Sequence, residues 1–281
     1  MDKIYNIPAF LKYVNNKEPK SDLLHIIDYA SEQDTLLQSK PVCIDFYLLA
    51  LKTNPDIPQS ENMSDSYAYF CRPDRLLEWN FSTSFTGYSM FVHARLLDKY
   101  VKEYSFVNYN NHEALFLTHE EKEIIQDLFQ KANAEYQKGQ FSKEVIVSYA
   151  SLILSYVQVF YKRQFDSRSK IYNKVVADFY EELDKYFNVR KDVIELPSVT
   201  FFAEKANLSP NYFGDLIKHF TGQSPQDHIH QYIVRKAKEK LRQTDLSVSE
   251  IAYSLGFDYP TYFTRFFRKE TGITPTIFRN Q

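Results

Sequence analysis

A chain of 281 residues, 44% hydrophobic and 25% charged, is long enough for two domains that each bury a core, and its composition is that of an ordered globular protein. The formal charge of −2 points to no partner through bulk electrostatics, and the six glycines cannot be arranged into a GxGxxG or GxxxxGK loop, which excludes P-loop and Rossmann nucleotide chemistry. Cys43 and Cys71 have neither CxxC spacing nor clustered histidines beside them, so neither zinc nor a secreted disulfide framework is expected.

The opening MDKIYNIPAFLKYV lacks the apolar run and small-residue cleavage site of a signal peptide. Up to about residue 110, short apolar runs alternate with turn signals such as KTNPDIPQSENMSD. Candidate strands are Leu24–Tyr29, Val42–Leu51, Tyr67–Cys71, Leu77–Phe81 and Tyr88–His93, and they predict a small antiparallel barrel or sandwich.

Helices follow. Thr118, with Glu121 three residues on, is a capping box, and Ile124, Ile125, Leu128, Phe129 and Ala132 then form one apolar face. A second helix is expected from Ser142 to about Lys162, with Val145, Ile146, Tyr149, Leu152, Ile153, Tyr156, Val157 and Phe160 on its face. That stripe serves either packing inside the monomer or a helix-to-helix dimer seam. The uncharged run Val145–Tyr161 is slightly short for a membrane span and carries Ser148, Ser151, Ser155 and Gln158, so it reads as a buried helix. A cytoplasmic protein is expected, with no membrane partner. The polar, unpatterned KRQFDSRSK, residues 162–170, places the domain boundary, giving domains 1–165 and 166–281. Beyond it the pattern is helical, beginning with a face of Ile171, Val175, Val176, Phe179, Leu183 and Phe187.

Two segments in this half repeat each other. In the second, Ser247 and Glu250 form a capping box before an inward face of Val248, Ile251, Ala252 and Leu255. Gly256 suits a left-handed helix end, and a new helix opens on Pro260 and stops at Thr271-Gly272. In the first, Ala203 answers Ala252, Leu208 answers Phe257, Tyr212-Phe213 answers Tyr262-Phe263, and Lys218 answers Arg268. The offset is 49 residues before the turn and 50 after it, a single insertion in a loop. Two capped helices joined by a tight turn, the second one basic, are the plan of a helix-turn-helix, here expected at about 198–220 and 247–271. A linking helix from Pro225 to about Gln243 would be roughly 28 Å long, close to the ~34 Å of one duplex turn. Residues 228–281 hold nine Lys or Arg against five acids, a basic end on a chain that is negative elsewhere.

On RKAKEKL, SVSEIAYSLGFDYPTYFTRFFRKETGITPTIFR and SPNYFGDLIKHFTGQSP, residues from about 170 to 281 resemble the DNA-binding domain of the AraC/XylS family of transcriptional regulators. The resemblance implies a bacterial protein with two helix-turn-helix units that bind double-stranded DNA and recruit or exclude RNA polymerase. It also implies an N-terminal cupin-like barrel with a helical dimerisation region, with which residues 1–165 are compatible although no cupin motif is legible. The expected fold class is therefore α+β, a small antiparallel barrel or sandwich followed by an all-α domain.

Thr261, Tyr262 and Arg265 match the family's base-facing positions, and a guanidinium at Arg265 can grip guanine O6 and N7. Phe263, Phe266 and Phe267 are expected to pack inward. Arg268, Lys269 and the corresponding Lys218 suit phosphates. In the first unit Gly214 and Asp215 depart from the family pattern, leaving Asn211 as an adenine contact or a helix cap. The basic run Arg235, Lys236, Lys238, Lys240 and Arg242 reads as a solvated face or a phosphate contact, with Arg235 matching a structural position of the family.

Enzyme readings fare poorly. His228 and His230 point to different sides of a helix, His119-Glu120-Glu121 lacks a second histidine, and no GxSxG elbow exists. No catalytic residue, metal or cofactor is expected. The N-terminal domain either senses a small-molecule effector or serves only as a dimerisation and interaction module. Trp79, Tyr67 and Tyr88 are candidates for a pocket wall, with core packing as the other reading of each.

Overall fold

The computed structural model describes residues 4–32, 36–54, 61–81, 85–109, 113–188 and 195–280. The chain divides into two compact units, Met1–Ser167 and Arg168–Gln281.

The first unit opens with β1 (Ile4–Tyr5) and α1 (Ile7–Tyr13). The helix is absent from the sequence reading, although it carries local signals: the Asn6 side chain accepts from the Ala9 N–H at 3.0 Å, and a proline stands in the first turn. There follow β2 (Leu24–Asp28), β3 (Val42–Ile44), β4 (Phe46–Thr53), β5 (Met63–Cys71), β6 (Leu76–Leu77) and β7 (Thr86–His93). Then come α2 (Ala94–Val101), a short 3-10 turn at Ser105–Asn108, β8 (Leu115–Thr118), α3 (His119–Gln137) and α4 (Lys143–Ser167).

These strands make two sheets. One is five-stranded and antiparallel, in the order β2-β7-β4-β5-β8, and the other is three-stranded, in the order β1-β3-β6. Among the described residues the larger sheet ends at β2 and β8, so of the barrel or sandwich expected the closed barrel is not formed; β1 and β3 also run parallel, against an all-antiparallel expectation. The run Val42–Leu51 is not one strand. The chain bends at Asp45, whose N–H donates to the Tyr5 carbonyl at 3.1 Å, and passes from the small sheet to the large one. Leu77–Phe81 shrinks to the two residues of β6, with an isolated bridge at Asn80.

One core lies between the sheets, drawing Val42 and Ile44 from β3, Phe46, Leu48 and Ala50 from β4, Phe91 from β7 and Phe10 from α1. The opposite face of the large sheet is covered by helices, where Tyr88 stacks on Phe129 at 5.8 Å. Burial on both faces explains why β4 reads as a nearly continuous apolar run, FYLLALKT.

The Thr118–Glu121 capping box forms as its spacing predicts. The segment read as an unpatterned boundary is helical up to Ser167. Gln164 is 1% exposed: its Oε1 accepts from Phe116 N–H at 2.9 Å, and its Nε2 donates to Ala114 O at 3.3 Å. Arg163 donates to Glu121 and to the Phe116 carbonyl. These polar residues seal β8 against α4, so their polarity does not mark solvent. The length and composition of α4 suffice to cross a membrane, yet Ile146, Ile153, Val157 and Phe160 are buried within the unit. Val145 and Leu152, expected on the same face, are exposed.

The second unit is all-helical: α5 (Ser169–Asn188), α6 (Val199–Lys205), α7 (Pro210–Thr221), α8 (Pro225–Gln243), α9 (Val248–Ser254), α10 (Pro260–Thr271) and α11 (Pro275–Arg279). The buried face of α5 is Tyr172, Phe179, Leu183 and Tyr186, whereas Ile171 is exposed, a rotation of the predicted stripe. Phe179 meets Phe202 of α6 at 5.1 Å and Phe213 of α7 at 5.4 Å. The long α8 packs against α7, α9, α10 and α11. Arg279 closes the end, donating to the carbonyls of Leu241 and Leu246.

Candidate nucleic-acid interface and amino-terminal cavity

Local chemistry sets the bounds of the second helix in each repeat, α7 and α10. Ser209 accepts from the Tyr212 N–H at 3.2 Å to open α7, Pro210 stands in the first turn, and Gly222 ends the helix at φ +78°. Pro260 opens α10 and Gly272 ends it at φ +83°. Their last threonines repeat one device: Thr221 Oγ1 donates back to Ile217 O and Thr271 Oγ1 to Phe267 O, each at 2.7 Å. The preceding helices α6 and α9 carry Ala203 and Ala252 at 0% exposure, small side chains where two helices approach closely.

On α10 the two faces separate cleanly. Phe263 and Phe267 are fully buried, while Phe266 is half-buried between Phe257 and His230. Thr261, Tyr262, Arg265, Arg268 and Lys269 are exposed. Among the described residues, Arg265, Arg268, Lys269 and Lys218 are engaged in no ion pair, so four cations stand free on α7 and α10. Arg268 and Lys269 also occupy the last turn of α10, where cations suit the helix dipole. Tyr262 lies edge-on to Tyr259 at 5.4 Å.

On α7, Asn211 and Lys218 are exposed, and the cap is Ser209 rather than Asn211. Gly214 has open space around a would-be side chain, and Asp215 is half-buried. Along α8, Arg235 lies over the Tyr232 ring at 4.5 Å, Arg242 over the Phe278 ring at 4.7 Å, and Lys236 pairs with Glu239 at 3.4 Å. His228 and His230 part company: His228 lies 2.9 Å from Thr221 Oγ1, and His230 lies 3.3 Å from Glu270.

In the first unit, Trp79 and Tyr67 border a cavity of about 250 Å³ between the two sheets, together with Phe10, Tyr29, Lys52 and Phe85. Tyr88 does not reach it, because an odd step along β7 places it on the helix-covered face. Sequence reasoning missed Lys52 and Tyr29. The available signal was a lysine in step with Phe46, Leu48 and Ala50, alternate positions of one strand that share a face.

Two helices joined by a left-handed turn, occurring twice with the outward cations on the second helix of each, define a helix-turn-helix DNA-binding domain. Residues 202–281 match the family described as "Helix-turn-helix domain". The regulator YobQ of Bacillus subtilis (strain 168) is 30% identical over 92 residues, 33% of this chain and 38% of its own length. The transcriptional activator RhaS of Salmonella arizonae is 36% identical over 77 residues, 27% of this chain and 28% of its own. The DNA-binding domain of AdpA, crystallised with a target DNA, is 27% identical and covers 39% of this chain and 89% of that one, with a TM-score of 0.32. The C-terminal unit is thus a DNA-binding domain of the AraC/XylS type. The chain spans under two-fifths of the length of the first curated relatives it matches.

Proposed function

We propose that the protein is a sequence-specific transcription regulator of the bacterial cytoplasm that binds double-stranded DNA through both helix-turn-helix units. The observation that carries this reading is the duplicated turn with exposed, unpaired cations on α7 and α10. Arg265, Thr261 and Tyr262 read base edges, joined by Asn211 from the first unit; Arg268, Lys269 and Lys218 hold phosphates. Gly214 and Asp215 offer little to a base edge, so the second unit dominates specificity. Relatives named as activators, among them RhaS and RhaR, support activation, which would run through contact with RNA polymerase. No catalytic step is assigned.

The N-terminal unit is the regulatory part. Its aromatic cavity supports sensing of a small molecule that shifts the DNA-binding half between two arrangements. A second reading makes this unit a dimerisation module alone, and a specific observation favours dimerisation: Val145, Leu152 and Val159, seven residues apart on α4, are 41%, 44% and 58% exposed. The two readings are compatible, and homodimerisation belongs to both.

Selecting bound fragments from genomic DNA with the purified full chain tests the main reading. A recurrent motif is expected, bound with an affinity that falls steeply as salt rises. Recovery of random fragments would remove sequence specificity.

A further inference from the structure

We propose that the amino-terminal cavity takes a small monocarboxylate borne on an aromatic ring or a short alkyl chain, with Lys52 Nζ as the anion anchor. This rests on the effector-sensing reading above and names the chemistry of that same cavity.

Lys52 is only 8% exposed, at the end of a ladder of apolar side chains. The pleat aims Phe46, Leu48, Ala50 and Lys52 into the same layer, beside Phe91 and Ser89 of β7 and Cys71, Tyr69 and Tyr67 of β5. Directly opposite Lys52 on β7 stands Gly87. The ammonium lies 3.6 Å from the Tyr29 ring centroid and 3.7 Å from that of Phe85. Two aromatic faces attract a cation but accept none of its three N–H groups in the way a carboxylate does. Among the described residues, no carboxylate pairs with it.

A buried cation without an anion either acquires one or gives up its proton. Burial alone pushes the Lys52 amine well below its usual range. The other titratable groups around it do not supply the missing charge. Burial drives Tyr29 and Tyr67 up to about 12, and Tyr69 is raised as well, so all three stay neutral. Tyr29 already spends its hydroxyl proton on Ser89 Oγ at 2.9 Å. Glu78 is an exposed residue of the lining. An entering carboxylate would restore the proton to Lys52 and receive its hydrogen bonds, while its ring or chain lies among Phe10, Trp79 and Phe85. The volume is sufficient: an apolar cavity of about 150 Å³ holds benzene, and this one measures about 250 Å³.

The test is calorimetric titration of the full chain with phenylacetate and octanoate against phenylacetamide and octanamide, repeated on Lys52→Met. Trp79, the single tryptophan, reports whether the variant's first unit is folded. Each acid is expected to bind at least about tenfold more tightly than its amide, a factor that corresponds to 1.4 kcal/mol. The heat should change with the buffer's ionisation enthalpy as a proton is taken up, a readout that needs no variant. Lys52→Met should bind acid and amide alike. The inference is overturned if wild type makes no distinction between them, if Lys52→Met keeps the preference, or if neither acid binds at millimolar concentration. Binding of amides alone overturns the anion anchor and leaves effector sensing intact. Binding of acids with no change in DNA affinity does the reverse.

Discussion

Asn207 and Gly256 occupy the same turn in the two helix-turn-helix units. Both lie in the left-handed region, at φ +54° and +88°. In each case the following residue donates its N–H to the matching alanine: Leu208 to Ala203 O at 2.9 Å and Phe257 to Ala252 O at 3.1 Å. Their surroundings differ, since a Cβ at Gly256 would stand 2.6 Å from the Glu195 carbonyl oxygen. Gly256→Ala is therefore expected to destabilise the second unit by at least about 1–2 kcal/mol, the left-handed penalty before any backbone shift. Asn207→Gly is expected to cost less, since glycine adopts the left-handed region without a steric penalty. Urea denaturation followed by circular dichroism distinguishes the two.

Arg265→Ala should cost about 1–3 kcal/mol of affinity for the selected DNA and relax specificity at one base pair. Lys269→Ala should weaken all sequences alike and reduce the salt slope by about 1. Titrations at several salt concentrations separate base from phosphate contact. If Asn211→Ala abolished binding while Arg265→Ala did not, the ranking of the two units would reverse.

Glu121 holds its carboxylate at 10% exposure, serving both the Thr118 cap and Arg163. Arg163→Met leaves that charge with one partner fewer, at an expected cost of about 1–3 kcal/mol after allowance for the partly exposed guanidinium. Adding Glu121→Gln should recover part of the loss. Trp79 fluorescence during urea unfolding reports it.

His25, 6% exposed with Nδ1 2.9 Å from the Tyr136 hydroxyl, is held down to about 4 by burial. Its folded value lies below the ordinary 6.5, so the unfolded chain binds the proton first. The contribution of this residue to stability is present above pH 6.5 and is lost as pH falls towards 4. The Trp79-detected Tm should decline over that window, and His25→Gln should flatten the decline.

Leu152→Asp places a charge in the middle of the exposed apolar row of α4. Light scattering after size exclusion should show a dimer for the wild type and a monomer for the variant, with Trp79 emission unchanged. A wild-type monomer would eliminate the α4 seam.

The C-terminal unit was legible almost residue by residue because short-range contacts close its helices. Ser209, Ser224 and Ser247 cap helix starts, prolines occupy first turns, and Gly222 and Gly272 end helices at positive φ. The expected α8, from Pro225 to about Gln243, matches its observed bounds for the same reason. The rotated face of α5 escaped because Tyr172 and Tyr186 bury their rings while reaching polar partners, Tyr212 Oη and the Glu195 carbonyl, which their type does not announce.

In the N-terminal unit the greater part of β4 and β7 was visible as apolar runs between turn signals, but the pleat of a strand only sorts side chains into two faces. It does not say which face meets helices and which meets another sheet. That choice sent Tyr88 to Phe129 and Lys52 into the cavity, and it split Val42–Leu51 between two sheets at Asp45. The sequence by itself determined where the helices of the DNA-binding half start, stop and repeat, since caps and turns act over a few neighbouring residues. Only the tertiary structure decided that the first unit has two open sheets and a buried lysine facing aromatic rings, because strand partners are chosen among residues far apart in the chain.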